Sequence, residues 1–340
     1  MNILHVGHYD KFLPKHIKLT NKHFNPDEHL FLMMDKEKKV ERVKAENVKY
    51  IGHKKLFSQM TLFYKADKII LHGLFEKRLL HLLFLNPWLI KKCYWMIWGG
   101  DLYNYLANKD NRKKKNIEFF RRFVISRLPY FITYVRGDFE LAQKWYGAKG
   151  EMLECLMYES NLYSSIGGRR ESYPNQVNIL LGNSASLSNN HLEALDLLKN
   201  QDDQRLRVFS PLSYGKESHR KKVIQKGKSL FGERFEPITK MMPFEEYVAF
   251  LNNIDIAVFN HKRQQAMGNI ITLLGLGKKV FMSSKVSSYR LFSNLGIKVF
   301  DVEKVDINPS FPESLENQEK VKNYFCKEKL LEQWREIYSK

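Results

Sequence analysis

Short apolar runs alternate with amphipathic or basic stretches through the first half of the chain. The runs predict seven strands, of which the last is the weakest, at 2–6, 29–34, 48–51, 68–72, 93–98, 130–135 and 152–157. The stretches between them are long enough for helices. Because strands that alternate with helices build parallel sheets, this half of the chain predicts an α/β domain.

A second alternation of the same kind begins after a polar stretch at 158–175 that is rich in Ser and Gly. Its apolar runs predict strands at 177–181, 206–210, 256–260, 279–282 and 298–300. Its amphipathic runs predict helices at 190–199, 217–231, 244–252 and 268–276. The charged segment 317–339 is predicted to be helical as well. The chain therefore carries a second α/β unit after the polar stretch.

The length of 340 residues fits two domains. We predict a first domain at 1–160, a linker at 161–175, a second domain at 176–316, and a C-terminal helix at 317–340 that can return to the first domain. Parallel α/β sheets bind ligands at the carboxyl ends of their strands. A cleft between two such domains is therefore the expected binding site.

The charge is strongly basic, with 56 Lys and Arg against 37 Asp and Glu, a net charge of +19. This surplus attracts nucleic acid, an anionic membrane surface or phosphorylated small molecules. Residues 1–160 hold 29 basic and 17 acidic residues, a net of +12, which leaves +7 for 161–340. The first domain is predicted to carry the greater part of the basic surface.

Targeting signals and cysteines narrow the class of protein. Three cysteines stand far apart with no C-x-x-C pair, which disfavours a zinc ribbon or a disulfide framework and suits a reducing cytoplasm. The first residues predict a strand and do not follow the pattern of a signal peptide. The most apolar stretch, 79–98, is interrupted by polar residues, so we expect it to be buried or to lie against a membrane rather than span it.

One candidate for phosphate binding follows the strand at 177–181. Gly182, Asn183 and Ser184 form a small polar loop before a predicted helix, which Ser188 or Asn189 can cap. Free N–H groups at a helix start bind anions, and a nucleotide phosphate would fit there. An ordinary βα loop has the same composition and stays an equal alternative.

A second candidate follows the strand at 256–260. The guanidinium of Arg263 can pair with phosphate, and Gln264 and Gln265 can bond sugar hydroxyls, before Gly268 opens the next helix. A solvated loop is the alternative. Asp-x-Asp occurs nowhere in the chain, so a diphosphate is expected to be held by N–H groups and cations, without a metal or other cofactor.

Candidates for catalysis and for acceptor binding lie in the first domain. Asp101 follows the strand at 93–98, where it can act as general base on an acceptor hydroxyl; the alternative is that it caps the next helix. Trp98 and Tyr103 can stack on a sugar ring. His72 and His5 end neighbouring predicted strands at the same edge, which makes His72 our second choice of base.

Basic and aromatic residues are interleaved at 109–127, a composition that suits a helix lying on an anionic membrane. A solvated helix with one face in the core is the alternative. Nucleic-acid binding is disfavoured because helix-turn-helix, RNP and zinc-finger patterns are lacking. An epimerase or dehydrogenase is disfavoured because no G-x-G-x-x-G follows the first strand.

These segments, in this order, resemble the TDP-N-acetylfucosamine:lipid II N-acetylfucosaminyltransferase family, also described as the 4-alpha-L-fucosyltransferases of glycosyltransferase family 56. The resemblance covers about residues 68–285. It rests on His72-Gly-x-Phe75, Trp95-x-Ile-Trp-Gly-x-Asp-Leu-Tyr103, Leu181-Gly-Asn-Ser184, Ser188-Asn-x-His191, Pro211-x-x-Tyr214 and Arg263-Gln-Gln-x-x-Gly268.

The resemblance implies a GT-B-like α/β glycosyltransferase, with two Rossmann-like domains facing a central cleft and no metal requirement. The implied reaction moves a 4-acetamido-4,6-dideoxyhexose from a dTDP-sugar to an undecaprenyl-diphosphate-linked saccharide, in a pathway like enterobacterial common antigen synthesis. The implied place is the cytoplasmic face of the bacterial inner membrane, as a peripheral protein. Another nucleotide sugar, in capsule or O-antigen synthesis, stays open.

The resemblance also assigns roles to residues. It implies that Gly182, Asn183, Ser184 and the run 263–268 bind the donor. It implies that His72, Trp98 and Asp101 are acceptor or catalytic candidates.

Overall fold

The computed structural model describes residues 1–35, 40–108, 111, 114–163, 175–201 and 203–340. The chain divides into two compact units, one of residues 1–160 with 327–340 and the other of residues 161–326. Most of the predicted linker, 164–174, lies outside the described residues.

The first unit is built on a seven-stranded parallel sheet with the order β3-β2-β1-β4-β5-β6-β7. Its strands are β1 (Ile3–His8), β2 (His29–Met34), β3 (Val48–Ile51), β4 (Lys68–His72), β5 (Cys93–Met96), β6 (Tyr130–Ile132) and β7 (Glu151–Leu153). Its helices α1–α6 are Leu13–His23, Met60–Lys65, Lys77–Leu85, Gly100–Asn108, Lys115–Ile125 and Arg136–Tyr146. The alternation of strands and helices confirms the α/β prediction for this half of the chain.

The two faces of this sheet differ in chemistry. Side chains alternate between the faces of a strand, and one face carries apolar residues such as Leu4, Leu71 and Trp95, which belong to the main core of the unit. On the other face the paired positions of β1, β2 and β4 mix polar side chains such as His5 and His29 with apolar ones such as Phe31 and Ile70, and these are buried too. Because both faces are covered, these strands read as continuous rather than alternating apolar runs.

The second unit holds a six-stranded parallel sheet with the order β10-β9-β8-β11-β12-β13. Its strands are β8 (Val177–Leu181), β9 (Leu206–Pro211), β10 (Phe235–Ile238), β11 (Ile256–Phe259), β12 (Lys279–Met282) and β13 (Phe300–Asp301). Helices α7–α11 are His191–Lys199, Glu217–Phe231, Phe244–Asn252, Met267–Gly275 and Ser287–Asn294. Strand β10 was not predicted from the sequence; it is an edge strand with Pro237 inside it, which weakens the apolar pattern.

The C-terminal segment, predicted as one helix at 317–340, is two helices. Helix α12 (Ser314–Tyr324) belongs to the second unit, and α13 (Lys327–Ser339) belongs to the first. The buried Lys68 on β4 donates from Nζ to the carbonyls of Ile337 (2.6 Å) and Tyr338 (2.9 Å), at the end of α13 where helix carbonyls lack partners. In the part of the chain that the structure describes, no helix has both the length and the apolar character needed to cross a bilayer.

Candidate functional site

The loop after β8 fixes the first donor candidates by packing as well as by hydrogen bonds. Gly182 has a left-handed backbone with φ +68°, and a Cβ there would lie 2.6 Å from His191 Nε2 and 2.8 Å from Asn189 Oδ1. Both the dihedral and the contact distances therefore require glycine. The chain turns sharply at this point and carries Asn183 and Ser184 past the end of the strand.

Asn189 ties this loop together and is almost fully buried. Its Oδ1 accepts from Asn183 N (2.9 Å) and from His261 Nε2 (3.1 Å), and its Nδ2 donates to Ser184 Oγ (3.1 Å). Because an amide oxygen only accepts, His261 carries its proton on Nε2. The cap predicted for Ser188 or Asn189 on the next helix is wrong: α7 begins after Asn190, and Asn189 links two strand-end loops instead.

The two predicted donor segments meet at Gln265. Its Nε2 donates to Asn183 Oδ1 (3.3 Å), and its Oε1 accepts from Ser188 Oγ (2.6 Å). Asn183 also donates from Nδ2 to the hydroxyl of Tyr214 (3.1 Å), a residue of the Pro211-x-x-Tyr214 motif. The loops after β8 and β11, about 80 residues apart in sequence, thus form one polar surface at the carboxyl end of the sheet.

The first turn of α10 lies directly after this polar surface. Ala266 precedes the helix in a left-handed conformation, with φ 60°, which a residue with a Cβ adopts at some cost in strain. Helix α10 has nine residues, with Gly268 in its first turn. The free N–H groups of that first turn therefore come shortly after Gln265 in the chain. Arg263 is half-buried and donates from Nη1 to the carbonyl of Gln264 (2.9 Å). This is a cationic and N–H-rich place that suits a phosphate.

Asp101 occupies a different position from the one predicted for a general base. Its carboxylate is fully buried in the first turn of α4. Oδ1 accepts from the N–H groups of Trp98 (3.0 Å) and Leu102 (3.0 Å), and Oδ2 accepts from Leu74 N (2.9 Å) and Trp95 Nε1 (2.7 Å). Burial raises the pKa of this carboxyl, and the hydrogen bonds oppose that rise. With two donors on each oxygen, Asp101 links the segment after β4 to the end of β5 and the first turn of α4.

His72 is buried to the same degree. Its Nδ1 lies 2.7 Å from the Tyr158 hydroxyl and its Nε2 lies 3.0 Å from His5 Nδ1. Burial lowers the pKa of His72 to about 3. The role of base predicted for His72 does not fit a ring whose two nitrogens are both engaged inside the domain. His5 also lies deeper than predicted, because β1 continues to His8.

Trp98 and Tyr103 lie in different apolar clusters. Trp98 donates from Nε1 to the Tyr158 hydroxyl (3.0 Å) and packs against Phe12, with 5.6 Å between ring centroids. Tyr103 packs against Trp145 at 5.4 Å. These contacts do not support the prediction that Trp98 and Tyr103 stack together on one sugar ring.

Sequence reasoning missed a partly exposed polar group at the carboxyl end of the first sheet. His8 ends β1, His53 follows β3, and Glu76 follows β4 and caps α3 by accepting from Arg78 N (3.0 Å). Glu76 Oε2 forms a hydrogen bond with His53 Nδ1 and lies 3.9 Å from His8 Nε2. The sequence contained a signal for this group, because polar residues that end parallel strands are candidates for a site and His8 is such a residue. It was overlooked because the first strand was predicted to end at residue 6.

The surroundings of His8 and Glu76 lower the pKa of both groups. Burial and the neighbouring His53 lower the pKa of His8, so the half-exposed ring is neutral at pH 7. Although burial opposes it, the hydrogen bonds from Arg78 N and His53 keep the pKa of Glu76 below its usual value. A neutral imidazole beside a carboxylate is a pairing that can accept a proton and stabilise the resulting charge.

The chain matches a known protein family and is similar to solved structures. The model of the family described as 4-alpha-L-fucosyltransferase, glycosyl transferase group 56, matches residues 11–340. The structure is similar to sucrose-phosphate synthase from Thermosynechococcus elongatus, with 10% identity, a TM-score of 0.69, and coverage of 100% of this chain and 98% of that chain. It is also similar to HepE from Anabaena in complex with UDP, with 11% identity, a TM-score of 0.68 and full coverage of both chains.

A third similar structure is the trehalose-6-phosphate protein from E. coli bound with UDP-2-fluoro glucose. Its identity to this chain is 9%, its TM-score is 0.68, and the match covers 100% of this chain and 98% of that one. At such identities the likeness shows the fold, which is GT-B, and confirms the predicted fold class.

Proposed function

This chain belongs to the 4-alpha-L-fucosyltransferase family, glycosyl transferase group 56, and is a glycosyltransferase; from this premise we propose that its donor is a nucleotide sugar bound by the second unit. The observation that carries the proposal is the junction of Asn183 and Gln265, which joins both donor motifs at one strand edge. The sugar we propose is a 4-acetamido-4,6-dideoxyhexose carried by dTDP, and the acceptor is an undecaprenyl-diphosphate-linked saccharide.

The proposed donor site stabilises the negative charge of the leaving group. As the glycosidic bond to the nucleotide breaks, negative charge grows on the diphosphate. The N-terminus of α10 and the guanidinium of Arg263 stabilise that charge, because N–H dipoles and cations act strongly at a partly buried site. In this scheme the protein supplies the positive charge, which agrees with the metal-independent reaction we predict.

The proposed base is His8, and it replaces Asp101 and His72 in that role. His8 is half-exposed and neutral, whereas the two earlier candidates are buried and fully engaged. When His8 takes the proton of an acceptor hydroxyl, the Glu76 carboxylate 3.9 Å away stabilises the imidazolium. Asp101 supports the site indirectly by fixing the loops that follow β4 and β5.

Replacement of His8 tests this assignment. A His8→Gln variant is expected to lose about 10²- to 10⁴-fold in kcat, the usual worth of a general base. His81→Gln is the matched control, since His81 lies on α3 against Phe120 and outside this group. A His8→Gln enzyme with wild-type kcat and an unchanged pH profile would exclude His8 as the base.

The proposed membrane surface lies on the first unit, where α3 and α5 pack together through Phe84 and the rings of α5. Leu85 (63% exposed), Trp88 (53%) and Phe119 (60%) project from it into solvent. Lys91 is exposed shortly after Trp88 in the chain. Each basic residue near an anionic surface contributes about 1 kcal/mol of attraction. Four residues of the predicted basic segment, 109, 110, 112 and 113, lie outside the described residues.

Vesicle binding tests the membrane proposal. Trp88→Asp and Phe119→Asp are expected to reduce co-sedimentation with phosphatidylglycerol vesicles. Phe244→Asp is the matched control, because Phe244 is as exposed (58%) but belongs to the second unit. Equal binding by all three variants would remove this surface from the proposal. We propose that the enzyme is a peripheral protein at the cytoplasmic face of the inner membrane, and vesicle binding tests that membrane association.

Donor identity is tested by thermal shift followed by product analysis. We expect dTDP to raise the Tm more than UDP or GDP, and mass spectrometry of a lipid-linked acceptor to show addition of one acetamido-dideoxyhexose. Asn183→Ala should abolish the dTDP shift. Stabilisation by none of the three nucleotides would refute the donor site.

A further inference from the structure

Three buried imidazoles converge on the polar face of the first sheet. His5 lies on β1, His72 ends β4, and His16 reaches over them from α1. One ring nitrogen from each lies within 4.8 Å of the others, and all three side chains are at most 1% exposed. Gly7 makes room for the approach, because a Cβ at that position would lie 2.7 Å from the Cβ of His72.

His16 has no hydrogen-bond partner on either ring nitrogen among the residues that the structure describes. Buried polar groups in folded proteins nearly always have a partner, so an orphaned imidazole beside two others indicates a ligand. The rings of His5 and His72 lie 5.8 Å and 5.0 Å from that of His16, centroid to centroid. An imidazole without a hydrogen-bond partner therefore lies beside two others that offer nitrogen ligands.

We propose that His5, His16 and His72 bind one divalent transition-metal ion inside the first unit, with Zn²⁺ as the best match to three imidazole ligands. Imidazole suits zinc, copper, iron and nickel, and three protein ligands leave a fourth position for water. Because the three ligands are buried and helix α13 covers them, the role we propose for the ion is to stabilise the first unit.

Hydrogen bonds outside the three ligands fit the proposal. Metal-bound histidines are usually oriented through the ring nitrogen that does not bind the ion. His72 Nδ1 lies 2.7 Å from the Tyr158 hydroxyl, and His5 Nε2 lies 3.0 Å from His29 Nδ1. The remaining nitrogens, His72 Nε2 and His5 Nδ1, lie 3.0 Å apart and share a hydrogen bond, which the ion would replace by binding a lone pair on each nitrogen.

The surroundings of the three imidazoles isolate them from solvent. Helix α13 closes the site, with Trp334 against His16 at 5.0 Å and Tyr338 against His5 at 6.0 Å. The ion would therefore be captured during folding rather than exchanged freely.

A second group, His8, His53 and Glu76, also has the spacing of metal ligands and must be distinguished from the first. Its two imidazoles are partly exposed, and its buried carboxylate already accepts from His53 and from the N–H of Arg78. This makes it the weaker binder and provides the matched control.

Metal analysis of the untagged full chain tests the proposal. After refolding with Zn²⁺ and dialysis, we expect about one zinc per chain by mass spectrometry. Refolding with Co²⁺ should give the visible d–d absorption of a nitrogen-bound ion. His16→Leu is expected to lose the metal, and Glu76→Gln is expected to keep it.

The readout does not depend on transfer activity, so it is independent of the proposed function. Wild-type protein refolded with Zn²⁺ or Co²⁺ but free of metal after dialysis would overturn the proposal, even if the His16→Leu variant fails to fold. Retention of metal by a folded His16→Leu together with its loss in Glu76→Gln would assign the ion to the other group and overturn the proposal too.

Discussion

The substitution Asp101→Asn tests whether Asp101 acts as a base or holds the loops around it in position. The buried carboxylate accepts four hydrogen bonds, two on each oxygen. Asparagine keeps one acceptor oxygen and places an NH₂ group where the other oxygen was. That NH₂ would face two N–H donors, for example Leu74 N at 2.9 Å and Trp95 Nε1 at 2.7 Å.

The magnitude follows from those two lost acceptors. A buried donor left without a partner costs about 1–3 kcal/mol, so two such donors cost about 2–6 kcal/mol. The variant no longer buries a charge, which offsets part of that cost. We therefore expect Asp101→Asn to lower the free energy of unfolding by about 2–5 kcal/mol, a large share of the stability of a typical domain.

Urea unfolding followed by circular dichroism measures this loss, and transfer kinetics below the unfolding transition measure function. A matched control is Asp196→Asn, which removes an exposed ion pair with Lys226 (2.6 Å) and should cost less than about 1 kcal/mol. A variant at Asp101 that is as stable as wild type but inactive would refute the positioning role and return Asp101 to the catalytic candidates.

Three further predictions concern the second unit. Gly182→Ala forces a Cβ to within 2.6 Å of His191 in a left-handed backbone and should weaken dTDP binding in calorimetry by at least tenfold; unchanged affinity would contradict the requirement for glycine. Arg263→Ala should raise the donor KM or lower kcat, whereas identical kinetics would remove Arg263 from the phosphate site. Burial lowers the pKa of His191 and His261 to about 3, so the unfolded chain binds more protons below pH 6.5. Each of these histidines should then cost ~1.4 kcal/mol per pH unit as pH falls from 6.5 towards 3. His261→Asn should flatten that decline in urea titrations, and an unchanged slope would speak against it.

Strand positions could be predicted because burial on both faces of a parallel sheet leaves a local signature. β2, β3, β4, β8 and β12 begin and end at the predicted residues. Strand ends next to loops were harder, since the chain leaves the sheet wherever its hydrogen-bond partners stop. β5 ends at Met96, two residues early, and β1 runs on to His8, which is why the accessible histidine was overlooked.

The candidate site, like the strands, could be predicted from the sequence only in part. The sequence by itself indicated the α/β class, the two donor motifs and the family, because each depends on residues close together in the chain or on an ordered set of motifs. Only the tertiary structure brought Gln265 to Asn183 and buried Asp101 among four N–H groups. It also divided the last segment between α12 and α13. The bonds from Gln265 to Asn183 and from Leu74 to Asp101 join residues distant in sequence. Hydrophobic periodicity carries no information about which polar side chains the packing of strands and helices will enclose.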